Sequence, residues 1–343
     1  MRGYAHEADW IFVKILLGSH HFFPSTGGIE TVTNLLAREF IALGHEVRVL
    51  TQTPGSGDFP FAVVRQPSPS QLIGEVRWCD VFLQNNISLR TVWPLAFLRR
   101  PLFVIHQTWI TGPDGRVVWQ DRLKRFVLRY ANSFAISRAI ADELPTASRV
   151  IGNPYDDQVY TPVSVGPRDR ELIFVGRLVS DKGADLLLDA MKMLGSKPRL
   201  TIAGDGPERA TLEKQAADAG LQAQVEFVGS RSSNELAALL RRHRLLVVPS
   251  RWSEPFGIVA LEAIACGCVV IGSSAGGLPE AIGPCGVTVP NGDVRALADA
   301  ISHLLADPDK CDGLQQNAAE HLQRFTARRV ASAYLEAMTS ALR

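Results

Sequence analysis

Short apolar segments alternate with amphipathic helical patterns along almost the whole chain, and this alternation is the feature that most constrains its fold. In the first half, FVKILLGS (12–19) is typical of a buried strand, and GGIETVTNLLAREFIALG (27–44) predicts a helix that ends at Gly44. A second series of apolar segments begins near residue 171 with ELIFVG and continues to GVTV. Alternating strands and helices indicate an α/β fold with parallel sheets that are covered on both faces.

The length of the chain and one irregular segment predict its domains. A chain of 343 residues is too long for one typical core and suits two domains. The segment TPVSVGPRDR (161–170) is rich in Pro and Gly and lacks periodicity, so it marks the predicted boundary. We therefore predict Rossmann-like domains at 1–165 and 166–325, followed by a final helix at 326–343.

Composition excludes several classes of protein. The sequence is 46% hydrophobic and 21% charged, as in soluble globular proteins, and its net charge of +1 argues against a nucleic-acid partner. There is no apolar run long enough to span a bilayer, and the polar start MRGYAHEADW does not resemble a secretory signal. We expect a cytoplasmic protein. The five scattered cysteines are predicted to be small buried residues; a metal-binding pair at Cys266 and Cys268 is the less favoured alternative.

Glycines follow five of the predicted strands, at the edge where parallel sheets bind ligands. The five segments are HHFFPSTGGIE, GRLVSDKG, GDGPE, RWSEPFG and SAGGLPE. Glycine permits close backbone approach, and a helix N-terminus offers free N–H groups. One such loop could be only a tight turn, but five of them favour a phosphate-bearing ligand. None has the G-x-G-x-x-G or P-loop pattern, which argues against nicotinamide cofactors and P-loop chemistry.

The segment EPFGIVALE (254–262) places a carboxylate at each end of an otherwise apolar stretch. Pro255 favours an extended Glu254 in a loop, whereas GIVALEAIA predicts a buried helix that carries Glu262. Because a lone buried carboxylate is destabilising, Glu262 either pairs with an Arg or Lys of the core or accepts hydrogen bonds from the hydroxyls of a ribose. Glu254, at the mouth of the helix, would face whatever the phosphates carry.

In their order and spacing, the motifs of the second half resemble the donor-binding domain of family 4 of the retaining glycosyltransferases, which have the two-domain GT-B fold. The matching segments are FVGRLVSDKGADLLLDAM (174–191), LTIAGDGPE (200–208), VEFVGSRSSNELAALL (225–240), VVPSRWSEPFGIVALEAIACGCVVIGS (247–273) and AGGLPEAIG (275–283). The first half resembles the acceptor domain more loosely, through segments at 21–51, 103–109, 133–140 and 150–162. The resemblance implies an α/β protein with two Rossmann-like domains facing across a cleft, and a final helix that crosses back to the first domain.

The resemblance also implies a role for individual residues. Arg177 and Lys182 match the basic pair that holds the donor pyrophosphate, which suits their donor geometry. Glu262 matches the residue that binds the ribose, and Glu254 the one that meets the donor sugar. His106 matches an active-site histidine near the transferred sugar; a strand-end histidine with satisfied hydrogen bonds is the alternative. We predict that His106, Glu254, Arg177 and Lys182 are the catalytic residues.

Further donor-binding positions follow from the same motifs. The glycine-rich loop matches one that reaches the phosphates, the helix mouth supplies backbone contacts, and the positions near 230 lie where the family contacts the nucleobase. These positions are Gly27, Gly28, Gly176, Val228, Arg231, Phe256, Gly257 and Ile258.

The implied activity is transfer of a sugar from a nucleoside-diphosphate sugar to a hydroxyl acceptor, with retention of configuration, in the synthesis of a glycan, polysaccharide or glycolipid. The resemblance implies no cofactor and no metal, with Arg177 and Lys182 replacing the cation. The nucleotide is UDP or GDP, and the acceptor a sugar, a glycan or a lipid-linked molecule. A nucleotide-sugar epimerase, or a non-catalytic nucleotide-binding module of the same fold, is the alternative.

The segment RVVWQDRLKRFVLRYAN (116–132) has helical periodicity in its later part. Its apolar side comprises Leu123, Phe126, Val127 and Tyr130, and its basic residues are Arg122, Lys124, Arg125 and Arg129. Acceptor domains of the family often rest on membranes through such a helix. We predict weak contact with the inner face of a membrane; an ordinary surface helix whose apolar side packs on its own sheet is the alternative.

Overall fold

The computed structural model describes residues 11–25, 27–110, 119–162 and 168–342. Contacts divide the chain into two compact units. The first contains residues up to Ile136, the segment Ala141–Ile151 and residues from Ala327 onwards, and the second contains Ser137–Ile140 and Gly152–Thr326. Each unit holds one parallel sheet with helices on its faces, as the alternating sequence pattern predicts.

The first unit is built on a seven-stranded sheet. Its strands are β1 (Lys14–Ser19), β2 (Glu46–Thr51), β3 (Ala62–Arg65), β4 (Val81–Asn85), β5 (Leu102–His106), β6 (Asn132–Ala135) and β7 (Ser148–Val150). They lie in the order β3-β2-β1-β4-β5-β6-β7, and every pairing is parallel. The order reverses between β1 and β4, and such a reversal marks the ligand-binding edge of a doubly wound sheet.

Helices connect and cover these strands. Those in the first 150 residues are α1 (Gly28–Ala42), α2 (Pro69–Trp78), α3 (Leu89–Val92), α4 (Trp119–Val127) and α5 (Arg138–Glu143). Short 3-10 turns follow α3 and α4, at Trp93–Ala96 and Leu128–Tyr130. The last helix of the chain (Ala327–Ser340) packs on α1. Its Tyr334 ring lies edge-on to the ring of Phe134, with the ring centroids 5.0 Å apart.

The second unit repeats this arrangement with six strands. They are β8 (Arg170–Val175), β9 (Leu200–Ala203), β10 (Val225–Gly229), β11 (His243–Val248), β12 (Val269–Ser273) and β13 (Gly286–Val289). Their order is β10-β9-β8-β11-β12-β13, again all parallel, so the reversal falls between β8 and β11.

An apolar core of the second unit includes Leu187, Leu245 and Ile301, and helices of the unit pack on it. In chain order the helices of the second unit are α6 (Ala184–Met193), α7 (Arg209–Asp218), α8 (Ser233–Arg242), α9 (Ile258–Ala265), α10 (Leu278–Ile282), α11 (Val294–Ala306), α12 (Pro308–Gln315) and α13 (Ala318–Gln323), so the last helix is α14.

The main segment of the second compact unit begins earlier in the chain, at Gly152, than the boundary predicted at 165/166. Residues 152–162 group with the second unit, because Arg241 donates hydrogen bonds to the carbonyls of Val159 and Thr161, at 2.8 and 3.0 Å. The amide of Tyr155 likewise donates to the carbonyl of Phe325, at 3.1 Å. These bonds tie the segment before the Pro- and Gly-rich stretch to the second unit.

The apolar side of the predicted basic helix does not pack on its own sheet as a whole. Leu123, Phe126 and Tyr130 are 41%, 52% and 75% exposed, and only Val127 packs against the core of the first unit. Residues 116–118 of the predicted segment lie outside the described residues. Three of the four apolar side chains are therefore exposed, and not packed on the sheet as the alternative of an ordinary surface helix predicted for them.

No helix in the described ranges is long and apolar enough to cross a membrane. The five cysteines are all buried and none forms a disulfide in that part of the chain. Cys268 donates its thiol to the Leu240 carbonyl at 3.1 Å, which is the behaviour of a small buried residue.

Candidate functional site

The reversal of strand order in the second unit brings two loops together. One loop follows β8 and contains Gly176, Arg177 and Lys182; the other follows β11 and leads to Glu254. Ligands of doubly wound sheets bind outside the carboxyl ends of the strands at this point. The predicted basic pair and the first predicted carboxylate are thus both placed at the expected edge.

Lys182 and Glu254 form an ion pair at this edge. The Lys182 ammonium lies 2.6 Å from Oε1 of Glu254, and both side chains are largely buried. The hydroxyl of Ser250, which is fully buried, donates to the same carboxylate oxygen at 2.6 Å. The second oxygen of Glu254 takes no part in either contact, so it stays available to a hydroxyl of a ligand.

The loop that carries Glu254 is held by a side chain from a distant turn. Asn291 donates from Nδ2 to the carbonyls of Ser250, Arg251 and Trp252, at 3.0, 3.3 and 3.4 Å. Its Oδ1 accepts a hydrogen bond from the amide of Ala275 at 3.0 Å. One amide side chain therefore fixes the loop after β11 against the loop after β12.

Glycines let the loop after β12 approach Glu254 closely. The amide of Gly277 donates to the Glu254 carbonyl at 2.7 Å, and Gly276 forms an isolated parallel bridge with Glu254. Gly276 has a φ of +83°, and a Cβ there would overlap the backbone of Glu254. The extended Glu254 that Pro255 predicts is therefore part of a short bridge between two loops.

The mouth of α9 lies directly after Glu254. Phe256 is buried against Phe325, with ring centroids 5.6 Å apart, and Gly257 adopts a left-handed conformation with a φ of +97°. The helix starts at Ile258, so its first N–H groups and positive dipole end lie beside Glu254 and Lys182. This end of α9 can bind an anion.

Glu262 lies one turn into α9 and is only partly exposed. The pKa of its carboxyl is raised to about 7, because burial and the charge of Asp156 raise it by more than the hydroxyl of the buried Tyr160 lowers it. No Arg or Lys lies within ion-pair distance of Glu262 in the described ranges. The basic core partner that the alternative predicted for Glu262 is therefore absent from those ranges. The group that acts on the carboxylate there is the neutral hydroxyl of Tyr160.

Arg177 is exposed, and no carboxylate of the described residues forms an ion pair with it. Its neighbour Gly176 donates its amide to the Ala203 carbonyl at 3.0 Å, which fixes the start of the loop after β8. Gly204 passes so close to Gly176 that a Cβ there would overlap the Gly176 carbonyl. A rigid turn therefore presents a guanidinium that can bind a phosphate.

The predicted nucleobase positions lie farther along the sheet. Val228 belongs to β10, an edge strand separated from β8 by β9, and Arg231 follows it. Arg231 is exposed, and its charge contributes to the lowered pKa of Glu235 at the start of α8. The structure does not bring either residue into contact with Lys182 or Glu254.

Three predicted residues belong to the first unit. Gly27 precedes α1 in an extended conformation, and Gly28 is the first residue of that helix. His106 is 1% exposed, and its Nε2 lies 3.3 Å from the Ser133 hydroxyl. Burial lowers the pKa of His106 to about 4, so the imidazole is neutral at neutral pH.

Sequence reasoning missed Ser250, Asn291 and Tyr160. Ser250 stands in the motif VVPSRWSEPFG, but nothing in the motif distinguishes it from a loop serine. Asn291 lies 41 residues from Ser250, in a PNGD turn that predicts only a change of direction. Tyr160 precedes the predicted boundary, so no local pattern paired it with Glu262. Among the described residues, no group of three or more His, Cys, Asp or Glu side chains could hold a metal ion.

Most of the second unit is similar to a known protein family. The family model described as "Glycosyl transferases group 1" matches residues 163–321. The second unit is a group 1 glycosyltransferase domain. This match confirms the predicted resemblance to family 4 of the glycosyltransferases, and it places Lys182, Glu254 and Glu262 within the group 1 domain.

Two curated relatives are similar to the chain over part of its length. The chain is 34% identical to a glycogen synthase of Mycobacterium tuberculosis over 65% of its own length and 56% of that protein. It is 38% identical to a D-inositol 3-phosphate glycosyltransferase of Thermobispora bispora over 49% of its own length and 44% of that protein. The chain therefore spans about half the length of these curated relatives.

A similar solved structure is that of Anabaena Alr3699/HepE in complex with UDP and glucose. It matches with a TM-score of 0.82 at 22% identity, over 96% of this chain and all of that one. At this identity the likeness shows the fold alone, and it confirms the predicted GT-B fold around the group 1 domain.

Proposed function

We propose that the chain is a retaining glycosyltransferase that moves a sugar from a nucleoside-diphosphate sugar to a hydroxyl acceptor, without a metal ion. The observation that carries the proposal is the contact between Lys182, Glu254 and Ser250 at the ligand-binding edge of the group 1 domain. A cation, a carboxylate and a helix N-terminus at one edge suit a ligand that has both phosphates and sugar hydroxyls.

The ion pair suggests how the donor would bind. A diphosphate competes with Glu254 for the Lys182 ammonium, because both are anions. When Lys182 turns to the diphosphate, Glu254 keeps the hydrogen bond from Ser250 and can accept others from hydroxyls of the sugar. Donor binding would then prepare the carboxylate that orients the sugar.

Charge on the leaving group decides the rate of such a transfer. As the bond to the sugar breaks, the diphosphate gains negative charge and the sugar becomes oxocarbenium-like. Lys182, the exposed Arg177 and the first N–H groups of α9 are the donors that would stabilise that charge. They supply the electrostatic role that a metal ion has in other transferases, so none is required in this proposal.

Glu262 is the proposed ligand of the ribose. Among the described residues, the neutral Tyr160 hydroxyl acts on its carboxylate, which can accept two further hydroxyl hydrogen bonds when it is ionised. Gly27, Gly28 and His106 of the first unit, and Val228 and Arg231 of the second, keep their proposed roles at the phosphates, the transferred sugar and the nucleobase. UDP is the first nucleotide to test, since the Anabaena protein binds it.

The proposed acceptor is a sugar, glycan or lipid-linked hydroxyl compound, in the synthesis of a glycan or glycolipid. We also propose that α4 touches the inner face of a membrane. The support is the exposure of Leu123, Phe126 and Tyr130 beside the exposed cations Arg122 and Arg129.

Release of nucleoside diphosphate tests the proposal. UDP-glucose and a panel of hydroxyl acceptors are incubated with the protein, and UDP is measured with and without each acceptor. Acceptor-dependent release supports transfer. Conversion to an isomeric nucleotide sugar without release would instead support an epimerase, and binding with neither reaction would support a nucleotide-binding module.

A further inference from the structure

Basic side chains gather at the carboxyl edge of the first sheet. His20 and His21 follow β1, Arg65 ends β3, and Arg90 lies in α3, directly after β4. The strand order reverses between β1 and β4, so this edge is the ligand-binding position of the first unit. These four residues are called the basic edge below.

Thr53 links Arg65 of the basic edge to the backbone of His20 through hydrogen bonds. Arg65 donates from Nη1 to the carbonyl of Thr53 at 3.0 Å. The Thr53 hydroxyl accepts from the amide of Phe22 at 3.0 Å and donates to the carbonyl of His20 at 3.4 Å. The rings of His20 and His21 lie edge to face with centroids 4.7 Å apart. The Arg65 guanidinium is thus tied, through Thr53, to the segment that carries both imidazoles.

The basic edge has more donors than acceptors. Nη2 of Arg65 is buried and has no hydrogen-bond partner in the part of the chain that the structure describes. Neither Arg65 nor Arg90 forms an ion pair with a carboxylate of those residues. The pKa of His20 is lowered by burial and by the positive charges of His21 and Arg90, so Arg90 lies close enough to act on it. An anion would satisfy the orphaned guanidinium nitrogen and offset this repulsion.

We propose that the basic edge binds a phosphate group on the acceptor, so that the acceptors of this chain are phosphate esters of sugars or polyols. The inference rests on the proposed function. There the side chains of Arg177 and Lys182 and the backbone of Gly27 and Gly28 hold the donor diphosphate, so the side chains of the basic edge are assigned to a second anion, that of the acceptor. A guanidinium offers paired N–H donors that match phosphate oxygens, and two arginines flank the histidines.

Binding of matched probes tests the anion site without any turnover. Inorganic phosphate, glucose and a phosphate monoester of glucose are titrated by calorimetry into protein that carries both Arg177→Ala and Lys182→Ala, which removes both side chains of the candidate diphosphate site. The phosphate and the ester should bind, whereas glucose should not. Arg90→Gln and Arg65→Gln should each weaken binding by about tenfold or more, since each removes a charge-assisted hydrogen bond.

Arg99→Gln is the matched control. Arg99 is exposed and lies before β5, at the amino end of the sheet, so the change removes the same charge from the opposite edge. Thermal unfolding of each variant checks that the fold is kept, and the exposed Arg90 makes its variant informative even if Arg65→Gln unfolds. Equal binding of glucose and its ester, or equal loss in Arg99→Gln, would overturn the proposal.

Kinetics separate the two sources of phosphate. In the wild-type background, Arg65→Gln and Arg90→Gln should raise the KM of a phosphorylated acceptor about tenfold and leave the KM of the donor unchanged. A raised donor KM would mean that the basic edge holds the donor diphosphate, which contradicts the proposal. Binding of UDP to the wild-type protein is measured separately, by thermal shift. If UDP does not bind, the proposed donor is rejected, but the proposed anion site is not, because the titrations above test that site.

Discussion

The ammonium of Lys182 lies 2.6 Å from the carboxylate of Glu254, although the two residues are 72 positions apart. The family resemblance implies different parts of the donor for them, the pyrophosphate for Lys182 and the sugar for Glu254. Direct contact couples these two roles, because a change at either residue leaves a largely buried partner without its counter-charge. Donor binding and orientation of the sugar should therefore respond together.

Lys182→Ala and Glu254→Gln should each lower kcat by about 100-fold, because removing one preorganised donor or orienting group costs on that order. The double variant should lose far less than the product of the two effects, since the residues act as a unit. Steady-state kinetics with saturating donor measure all three. Effects that multiply would show that the residues act independently.

Lys192→Ala is the control for this cycle. Lys192 also lies 2.6 Å from a carboxylate, that of Asp189, but this pair is exposed on α6. An exposed ion pair contributes little to stability, so the variant should keep its stability and kcat. If Lys192→Ala lost as much kcat as Lys182→Ala, the loss in Lys182→Ala would be due to a change of surface charge and not to the contact with Glu254.

Donor affinity should rise with pH around the pKa of Glu262. Burial raises that pKa to about 7, and only the ionised carboxylate accepts two hydroxyl hydrogen bonds. Affinity should therefore increase as pH rises through about 7. Glu262→Gln should weaken donor binding roughly tenfold at high pH and flatten the profile, since a hydrogen bond to a charged group is lost.

Tyr160→Phe sharpens this test. The Tyr160 hydroxyl hydrogen-bonds to the carboxylate and lowers the pKa of Glu262, so its removal should move the rise in donor affinity to higher pH. Calorimetric titration of UDP at several pH values gives both profiles. A midpoint that does not move, or a pH dependence that survives in Glu262→Gln, would show that another group is titrating.

Stability should respond to Glu262 in the opposite direction. A carboxyl whose pKa is raised in the folded state binds more protons there than in the unfolded chain, so stability falls as pH rises from the unfolded pKa to about 7. Glu262→Gln should reduce this fall. Urea unfolding across that pH range measures it, and an unchanged slope in Glu262→Gln would argue against the raised pKa.

Asn291→Ala should lower kcat about tenfold or more while keeping the fold, because Asn291 holds the carbonyls of Ser250, Arg251 and Trp252 in the loop that leads to Glu254. The matched control is Asn317→Ala. Asn317 likewise donates from Nδ2 to backbone carbonyls, those of Pro284, Gly313 and Leu314, but outside the site.

Both asparagine variants should lose stability by about 1 kcal/mol, since each removes side-chain hydrogen bonds to the backbone. Only Asn291→Ala should also lose kcat. Parallel urea unfolding and kinetics compare them, and equal effects on kcat would mean that Asn291 is merely structural.

The alternating pattern was enough to predict the two parallel sheets, because strands buried on both faces appear as continuous apolar segments such as FVKILLGS. The edge strands β3 and β7 escaped prediction, since short edge strands lack such a segment. The same limit applies to the site. Motifs predicted Lys182, Glu254 and Glu262, but the partners Ser250, Asn291 and Tyr160 act through tertiary contacts that leave no local pattern.

The exposed side of α4 predicts salt-sensitive binding to anionic vesicles. Each basic residue near an anionic surface contributes about 1 kcal/mol, so replacing Arg122, Arg125 and Arg129 by Ser should weaken binding on the order of 100-fold. Replacing the exposed Lys197, Lys214 and Arg295 of the second unit changes the net charge equally and should have little effect.

Co-sedimentation with anionic and neutral vesicles, at low and high salt, measures this binding. Activity on a soluble acceptor should survive in both triple variants. Equal pelleting with both lipids, or with neither, would contradict contact between α4 and the membrane.

The most direct test of the central claim is the structure of the product formed in EDTA. UDP-glucose labelled at its anomeric carbon is incubated with the protein and an acceptor, and the products are followed by NMR. Retaining, metal-independent transfer predicts an α-linked glucoside that appears together with UDP, at the same rate with and without EDTA. A β-linked product, an isomeric nucleotide sugar without UDP release, or activity that EDTA abolishes and Mg²⁺ restores would contradict the account.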